Sequence, residues 1–311
     1  MRRLAVLFLS PLLVVGVLAG CGGADSAAEE GLPKVSGSYG DKPKVTADKK
    51  EKPPKLVRSS ILVNGKGPKV AKGDLLVADY LGSVYATNKV FDNSYDRGQP
   101  AGFEIGTGKV IKGWDETLVG VNAGSRVLMV IPPAKGYGTE GNEQAGIKGT
   151  DSLVFVVDII ASYGKDATKS ESTATAVTGL PASLPKVAAE TGTRPTITVA
   201  KNAAPPKAPA ATVVAKGDGE AVTKGKLAIV QYEAVNFAGQ ALDTTWEAGV
   251  PRGFPIGVEG QPTPFDELEG VPVGSRVLLL LPAQQGGDPK KDSVVVAIDV
   301  LALHGPAKDA A

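Results

Sequence analysis

Three short segments between residues 91 and 138 hold the side chains best suited to chemistry: Phe91-Asp92, then Gly106-Thr107-Gly108-Lys109-Val110-Ile111-Lys112-Gly113-Trp114-Asp115, then Gly136-Tyr137-Gly138. They are mostly aromatic and aliphatic, with Asp92 supplying a carboxylate and Tyr137 a phenol. Nucleophilic catalysis is a poor fit. His304 is the only histidine and reads as part of the C-terminal tail, so a Ser-His or Cys-His pair has no partner here. Gly136-Tyr137-Gly138-Thr139-Glu140-Gly141 fits GxGxxG after a strand, but Asn142-Glu143-Gln144-Ala145-Gly146 does not open an amphipathic helix, which argues against a dinucleotide site. Taken singly, Trp114 and Phe155 read as core, Asp92 as a turn residue and Tyr137 as a surface phenol. Their joint order and spacing carry the functional reading.

That set resembles the active-site signature of the FKBP-type peptidyl-prolyl isomerases, over Leu56 to Tyr163 and more loosely over Ala211 to Leu303. The resemblance implies a proline-binding pocket with Asp92, Trp114 and Tyr137 at the chemistry and Tyr80, Phe91, Arg97, Val110, Ile111, Ile147 and Phe155 around the substrate. It makes the Trp114 indole the floor and Tyr80, Phe91 and Phe155 the walls. The Ile111 backbone N–H and the Tyr137 hydroxyl would donate to substrate carbonyls, and Asp92 would be held at the edge by Tyr80 and Arg97. The implied reaction is rotation about an Xaa–Pro amide, slow by itself because it breaks amide resonance at a cost of about 18–20 kcal/mol. A dry pocket disfavours the charge-separated planar amide, and tighter binding of the twisted form lowers the barrier. No cofactor or metal is required. Proline-containing polypeptides are the expected partners, and the same resemblance implies macrolide-type ligands.

The stretch Leu56 to Tyr163 departs from the family pattern in two places. Ala101 stands where many members have an aromatic wall, and the loop from Thr139 to Ser152 lacks an Ile-Pro-Pro run, keeping only Ile147. A more open pocket, with weaker preference for the residue before proline, is the expectation.

The elements that must position these residues read as short apolar strands at Leu75–Tyr80, Arg126–Ile131 and Leu153–Ile160. Trp114, Leu118 and Val121 share one helix face, with Asp115 and Glu116 in a first turn that favours negative charge. The simplest architecture is α+β, an antiparallel sheet folded over one short helix, which is also the fold that the resemblance implies.

The chain repeats itself. Leu32-Pro33-Lys34-Val35 recurs as Leu184-Pro185-Lys186-Val187, and Tyr80 recurs as Tyr232, both at an offset of 152 residues. Gly124-Ser125-Arg126-Val127-Leu128 recurs at 150 and Asp158 at 141 as Asp299. Two FKBP-like domains are therefore expected, an active one at 56–164 and a degenerate one at 206–306, joined by a linker at 165–205. In the second copy Asp243 and Tyr232 remain, but Leu242 replaces Phe91, Ala248 replaces Arg97, Phe265 replaces Trp114 and Gly287 replaces Tyr137. Pro262 falls at the Ile111 position and has no N–H to donate. The flap shrinks to Pro289-Lys290-Lys291, while Leu227, Ile229, Val277, Leu279, Val294, Val296 and Ile298 are expected to keep an alternating core.

With 34 basic and 33 acidic residues the formal net charge is +1, and no clustered basic face points to nucleic acid. Met1-Arg2-Arg3, an apolar run to Val17 and then Leu18-Ala19-Gly20-Cys21 look like a bacterial lipoprotein signal over 1–20. Cys21, the only cysteine, would carry the lipid and anchor the protein to the outer face of the cell membrane. Residues 21–55, rich in Gly, Ala, Lys and Pro, read as the tether, although the repeat extends into them and leaves a packed extra strand around Lys44-Val45-Thr46 and Thr196-Ile197-Thr198 equally open. Ala167 to Ala182 reads as flexible. The rival to an isomerase is a non-enzymatic chaperone or partner-docking lipoprotein on the same fold. A transporter-associated binding lipoprotein shares only the signal segment.

Overall fold

The computed structural model describes residues 31–168, 170 and 173–309; the expectations for the signal segment, Cys21 and the first part of the tether lie outside them. Chain order is β1 (Lys34–Ser36), β2 (Lys44–Thr46), β3 (Arg58–Val63), β4 (Leu75–Val84), β5 (Val90–Asn93), β6 (Ala101–Glu104), α1 (Lys112–Leu118), β7 (Arg126–Ile131) and β8 (Leu153–Tyr163). There follow β9 (Ala174–Ala176), β10 (Ala210–Gly217), β11 (Leu227–Asn236), β12 (Ala241–Thr244), β13 (Arg252–Pro255), β14 (Arg276–Leu281), α2 (Pro289–Asp292) and β15 (Val294–His304). The architecture is α+β. One lobe is an antiparallel sheet in the order β3-β7-β8-β4-β5 with β6 also on β4; the other is β12-β11-β15-β14-β10-β9 with β13 on β11.

The two sheets share their register irregularities. Bulges at Ile61/Val63, Val77/Ala78 and Gly82/Ser83 recur at Val213/Ala215, Ile229/Val230 and Ala234/Val235, each 152 residues on. A bulge bends its strand and strengthens the local twist, so a shared set gives both sheets the same curvature. In the first lobe Trp114 and Leu118 of α1 are buried in the concave face with Val127, Met129, Val157 and Ile159.

Two helix expectations need correction. Val121 is not on α1: the helix stops at Leu118, Gly120 adopts φ 88°, and Val121 pairs instead with Val70. The second lobe has no α-helix at this place but a 3-10 turn, Pro264–Leu268. Asp115 and Asp266 are 151 residues apart but Gly120 and Gly270 only 150, so this stretch is one residue shorter in the second lobe and its turn tightens to i→i+3 bonding.

The supposed tether and linker are largely packed structure. Leu32, Val35, Val45 and Ala47 cover Leu128, Val130, Val154 and Val156 on the convex face of the first sheet, and Leu180, Val187, Ile197 and Val199 cover Val214, Val235, Leu278 and Val295 on the second. These straps, from residues 31 and 180 onward, extend both lobes beyond the boundaries expected from sequence. Lys44–Thr46 pairs with Lys34–Ser36 in a separate two-stranded sheet rather than extending the main one, and Thr198 bridges to Lys186. Within the stretch read as flexible, β9 pairs with β10.

The lobes share a small core. Leu75 and Val77 of β4 pack with Leu227 and Ile229 of β11 and with Leu301. Leu227 and Ile229 are thus not in the second lobe's own core as expected: Ala228, Val230 and Tyr232 are, and the odd positions turn toward the other lobe. A Cβ at Gly102 would crowd Leu75 at 3.1 Å and come into ordinary contact with Leu227 and with Gly253, its equivalent across the interface. His304 is not in a loose tail either. It ends β15, is half-buried, and its Nε2 lies 2.6 Å from the hydroxyl of Tyr163, the equivalent residue of the first lobe. Equivalent residues meet twice, as across a two-fold axis.

Candidate active site

A cleft of about 760 Å³ opens on the first lobe between β5, β6, the start of α1 and the loop carrying Tyr137. Its floor is Trp114. The indole is 3% exposed and is met edge-on by Phe103 at 4.9 Å, Phe155 at 5.3 Å and Tyr80 at 5.7 Å between centroids. Phe91 stands edge-on to Phe155 at 5.7 Å. Edge-to-face packing keeps each ring in place without filling the space above the indole. Gly82 is part of this design: a Cβ there would sit 2.6 Å from Phe91 and 2.8 Å from Phe155.

Asp115 ties the lip to the helix. Its carboxylate accepts the backbone N–H of Gly106 at 2.6 Å and of Gly108 at 2.8 Å, so it organises the loop delivering Lys109, Val110 and Ile111 rather than serving only the helix dipole. Ile111 is the N-cap of α1, and its N–H has no backbone acceptor among the described residues. Glu116 pairs with Lys135 at 2.5 Å, linking α1 to the turn that precedes Tyr137. Tyr137 is half-buried on the cleft wall. The Trp114 Nε1 is buried without a hydrogen-bond partner among the described residues.

At the opposite edge the Tyr80 hydroxyl donates to Asp92 Oδ2, while Arg97 reaches Asp92 Oδ1 at 2.6 Å and the Tyr80 hydroxyl at 2.9 Å. Arg97 also lies over the Tyr80 ring at 5.6 Å. Burial, reinforced by the bond to Asp92, pushes the Tyr80 phenol up to about 12, so it remains a donor at neutral pH.

Of the residues expected from sequence, Tyr80, Phe91, Asp92, Val110, Ile111, Trp114, Tyr137 and Phe155 line this one cleft. Arg97 stands behind Asp92 rather than on the lining, and Ile147 is 4% exposed in the core beneath. Phe103 was missed. It follows Ala101 by two residues on the same face of β6 and supplies an aromatic wall, which removes one of the two grounds for a wider pocket and leaves the loop without an Ile-Pro-Pro run as the other. Strand alternation, Ala101 then Phe103, was the signal available.

The second lobe rebuilds only part of this. Tyr232 donates to Asp243, and Arg252 reaches the Tyr232 hydroxyl at 2.5 Å and Asp243 at 3.1 Å. The guanidinium lost at Ala248 is therefore resupplied from β13. Here, however, Phe254 and Phe265 stack face to face at 3.5 Å, where the first lobe has Phe103 edge-on to Trp114. Pro262 leaves no N–H at the lip.

A deep aromatic cleft with few polar groups, no nucleophile–base pair and a pinned carboxylate is a site for binding and distorting a small apolar ring. Residues 67–160 match the family described as FKBP-type peptidyl-prolyl cis-trans isomerase. An FK506-binding protein of Streptomyces anulatus is 35% identical over 121 residues, 39% of this chain and 97% of that protein. FK506-binding protein 2 of Dictyostelium discoideum is 42% identical over 92 residues, 30% of this chain and 68% of that protein. The crystal structure of AtFKBP13 is 36% identical over 34% of this chain and 91% of that one, with a TM-score of 0.32. The chain belongs to the FKBP-type peptidyl-prolyl cis-trans isomerases.

Proposed function

We propose that the first lobe catalyses cis–trans isomerisation of Xaa–Pro bonds in exported polypeptides, at the outer face of a cell membrane, to assist their folding. The observation that carries the catalytic part is Trp114 on the floor of the cleft, walled by Tyr80, Phe91, Phe103 and Phe155 beside the Ile111 N–H. A pyrrolidine ring laid on the indole puts its amide in an apolar enclosure, where the planar charge-separated form loses solvation and the twisted form loses less. In this reading the Ile111 N–H and the Tyr137 hydroxyl orient carbonyls on either side, supported by both residues lining the cleft. Asp92, held by Tyr80 and Arg97, sets the field at the edge. Macrolide-type ligands would occupy the same cleft. The second lobe contributes no turnover in this reading, because the Phe254–Phe265 stack and Pro262 remove floor and lip donor.

Location rests on the sequence alone: lipidation at Cys21 anchors the chain. Metabolic labelling with a fatty acid that is lost in Cys21→Ala tests it. Turnover is tested by NMR exchange on Xaa–Pro peptides with the full chain. Peptide binding without exchange would favour the rival, a chaperone or docking lipoprotein.

A further inference from the structure

Asp79 is fully buried, one residue before Tyr80, and its carboxylate accepts the Ser94 hydroxyl at 2.5 Å and the backbone N–H of Ala307 at 2.6 Å. Ser94 in turn accepts the Tyr80 N–H at 2.9 Å and donates its own N–H to the Tyr80 carbonyl at 3.0 Å. Ala307 lies beyond β15, in the tail of the second lobe, where a 3-10 turn (Ala307–Asp309) packs against the first. The exchange is reciprocal. Gln231, equivalent to Asp79, donates to the carbonyl of Ala167 at 3.4 Å, in the segment leaving the first lobe, and Thr245 repeats Ser94 by accepting the Tyr232 N–H at 2.8 Å. Each tail ends beside the residue preceding the other lobe's tyrosine, but only the first lobe has a carboxylate there.

We propose that the second lobe serves as a built-in subunit for the first: through Ala307 N–H, Asp79 and Ser94, its tail fixes the strand that presents Tyr80 to Asp92. Asp79 is a positioning residue in this scheme, and the scheme rests on the reading of the cleft as the isomerase site. The physical reason is the cost of an unsatisfied buried carboxylate. Without the tail donor, Asp79 keeps one hydroxyl partner, and that hydroxyl belongs to the residue clamping the Tyr80 backbone. The shared core at Leu75, Val77, Leu227 and Ile229 keeps the tail in reach.

The test uses the full chain. Ala307→Pro removes the N–H donor but keeps a β-carbon and adds two ring carbons, whereas Ala307→Gly keeps the donor and loses the buried methyl. Rates are expressed per folded molecule, from urea unfolding at the assay temperature. Ala307→Pro is expected to lower kcat on an Xaa–Pro peptide about tenfold with KM unchanged, and Ala307→Gly to keep the wild-type value. Equal kcat in the two variants, or a loss confined to KM, overturns the proposal. If wild type turns over no Xaa–Pro peptide, the isomerase reading fails instead. The Tyr80 ring resonances then decide the positioning role: a shift in Ala307→Pro absent from Ala307→Gly supports it, and identical spectra overturn it.

Discussion

Arg126 Nε lies 2.6 Å from Asp158 Oδ1 with both side chains buried, and the pair is completed from outside its own sheet. The strap carbonyls of Gly37 and Asp41 accept from the guanidinium, each at 2.7 Å, and the Gly40 N–H donates to Asp158 at 2.7 Å. Arg276 and Asp299 repeat this at 2.6 Å with Ala188, Thr193 and Gly192. A buried ion pair is tolerable only when its remaining donors and acceptors are met. The straps meet them, which is why segments of linker composition are ordered.

Breaking that arrangement should be costly. Asp158→Asn leaves a buried guanidinium under-compensated, and about 3–5 kcal/mol of unfolding free energy should be lost. A chain beginning at Leu56 discards Gly37, Gly40 and Asp41, so it should unfold at lower urea than one beginning at Gly31. Coincident urea curves would show that the strap adds nothing.

Phe103 should matter to the reaction although sequence spacing passed over it. Phe103→Leu keeps an apolar wall but gives up edge-on contacts with Trp114 and Tyr80. Aromatic pairs are worth about 0.5–1.5 kcal/mol, so kcat/KM should fall by a factor of about 2–13. Tyr232→Phe in the second lobe should leave turnover untouched. A peptide exchange assay on both variants decides between them.

Charge at the lip should shape client choice. Lys109 and Lys112 are exposed on the cleft lining, and neither is in an ion pair among the described residues. Exposed pairs contribute roughly 0.2–1 kcal/mol. Peptides with Glu flanking the Xaa–Pro bond should therefore be preferred over Lys-flanked ones at low salt, and Lys109→Glu with Lys112→Glu should reverse the order. No reversal at low ionic strength would contradict this.

Acid should loosen the chain through His304. Burial holds its pKa below the usual value, with Glu220 and Lys226 the charges acting on it and Tyr163 its partner. The unfolded chain then binds more protons than the folded one just below about pH 6.5. Stability is thus complete above that pH and falls as pH drops toward the folded-state pKa, by at most about 1.4 kcal/mol per pH unit. With one histidine in the chain, His304→Phe should flatten the melting temperature between pH 7.5 and 5. An unchanged slope would assign the dependence to carboxylates.

The sequence by itself determined the strands at Leu75, Arg126 and Leu153, the helix under Trp114 and most of the cleft lining, because these depend on local apolar pattern and on residue order between Tyr80 and Phe155. It also marked Arg126, Asp158 and their repeats, without showing what they hold. Only the tertiary structure decided the rest. Ala174 to Ala176 and the straps look like linker because their order comes from distant partners, not from their own composition. Leu227 and Ile229 face another lobe because a bulge and a neighbouring sheet set the exposed side of β11, and Arg252 replaces a lost guanidinium from a different strand. His304 reads as tail, and Ala307 falls past the expected end of the second domain at 306, because the surfaces they meet, at Tyr163 and Asp79, lie 141 and 228 residues earlier in the chain. Contacts at such separations leave no periodicity to read.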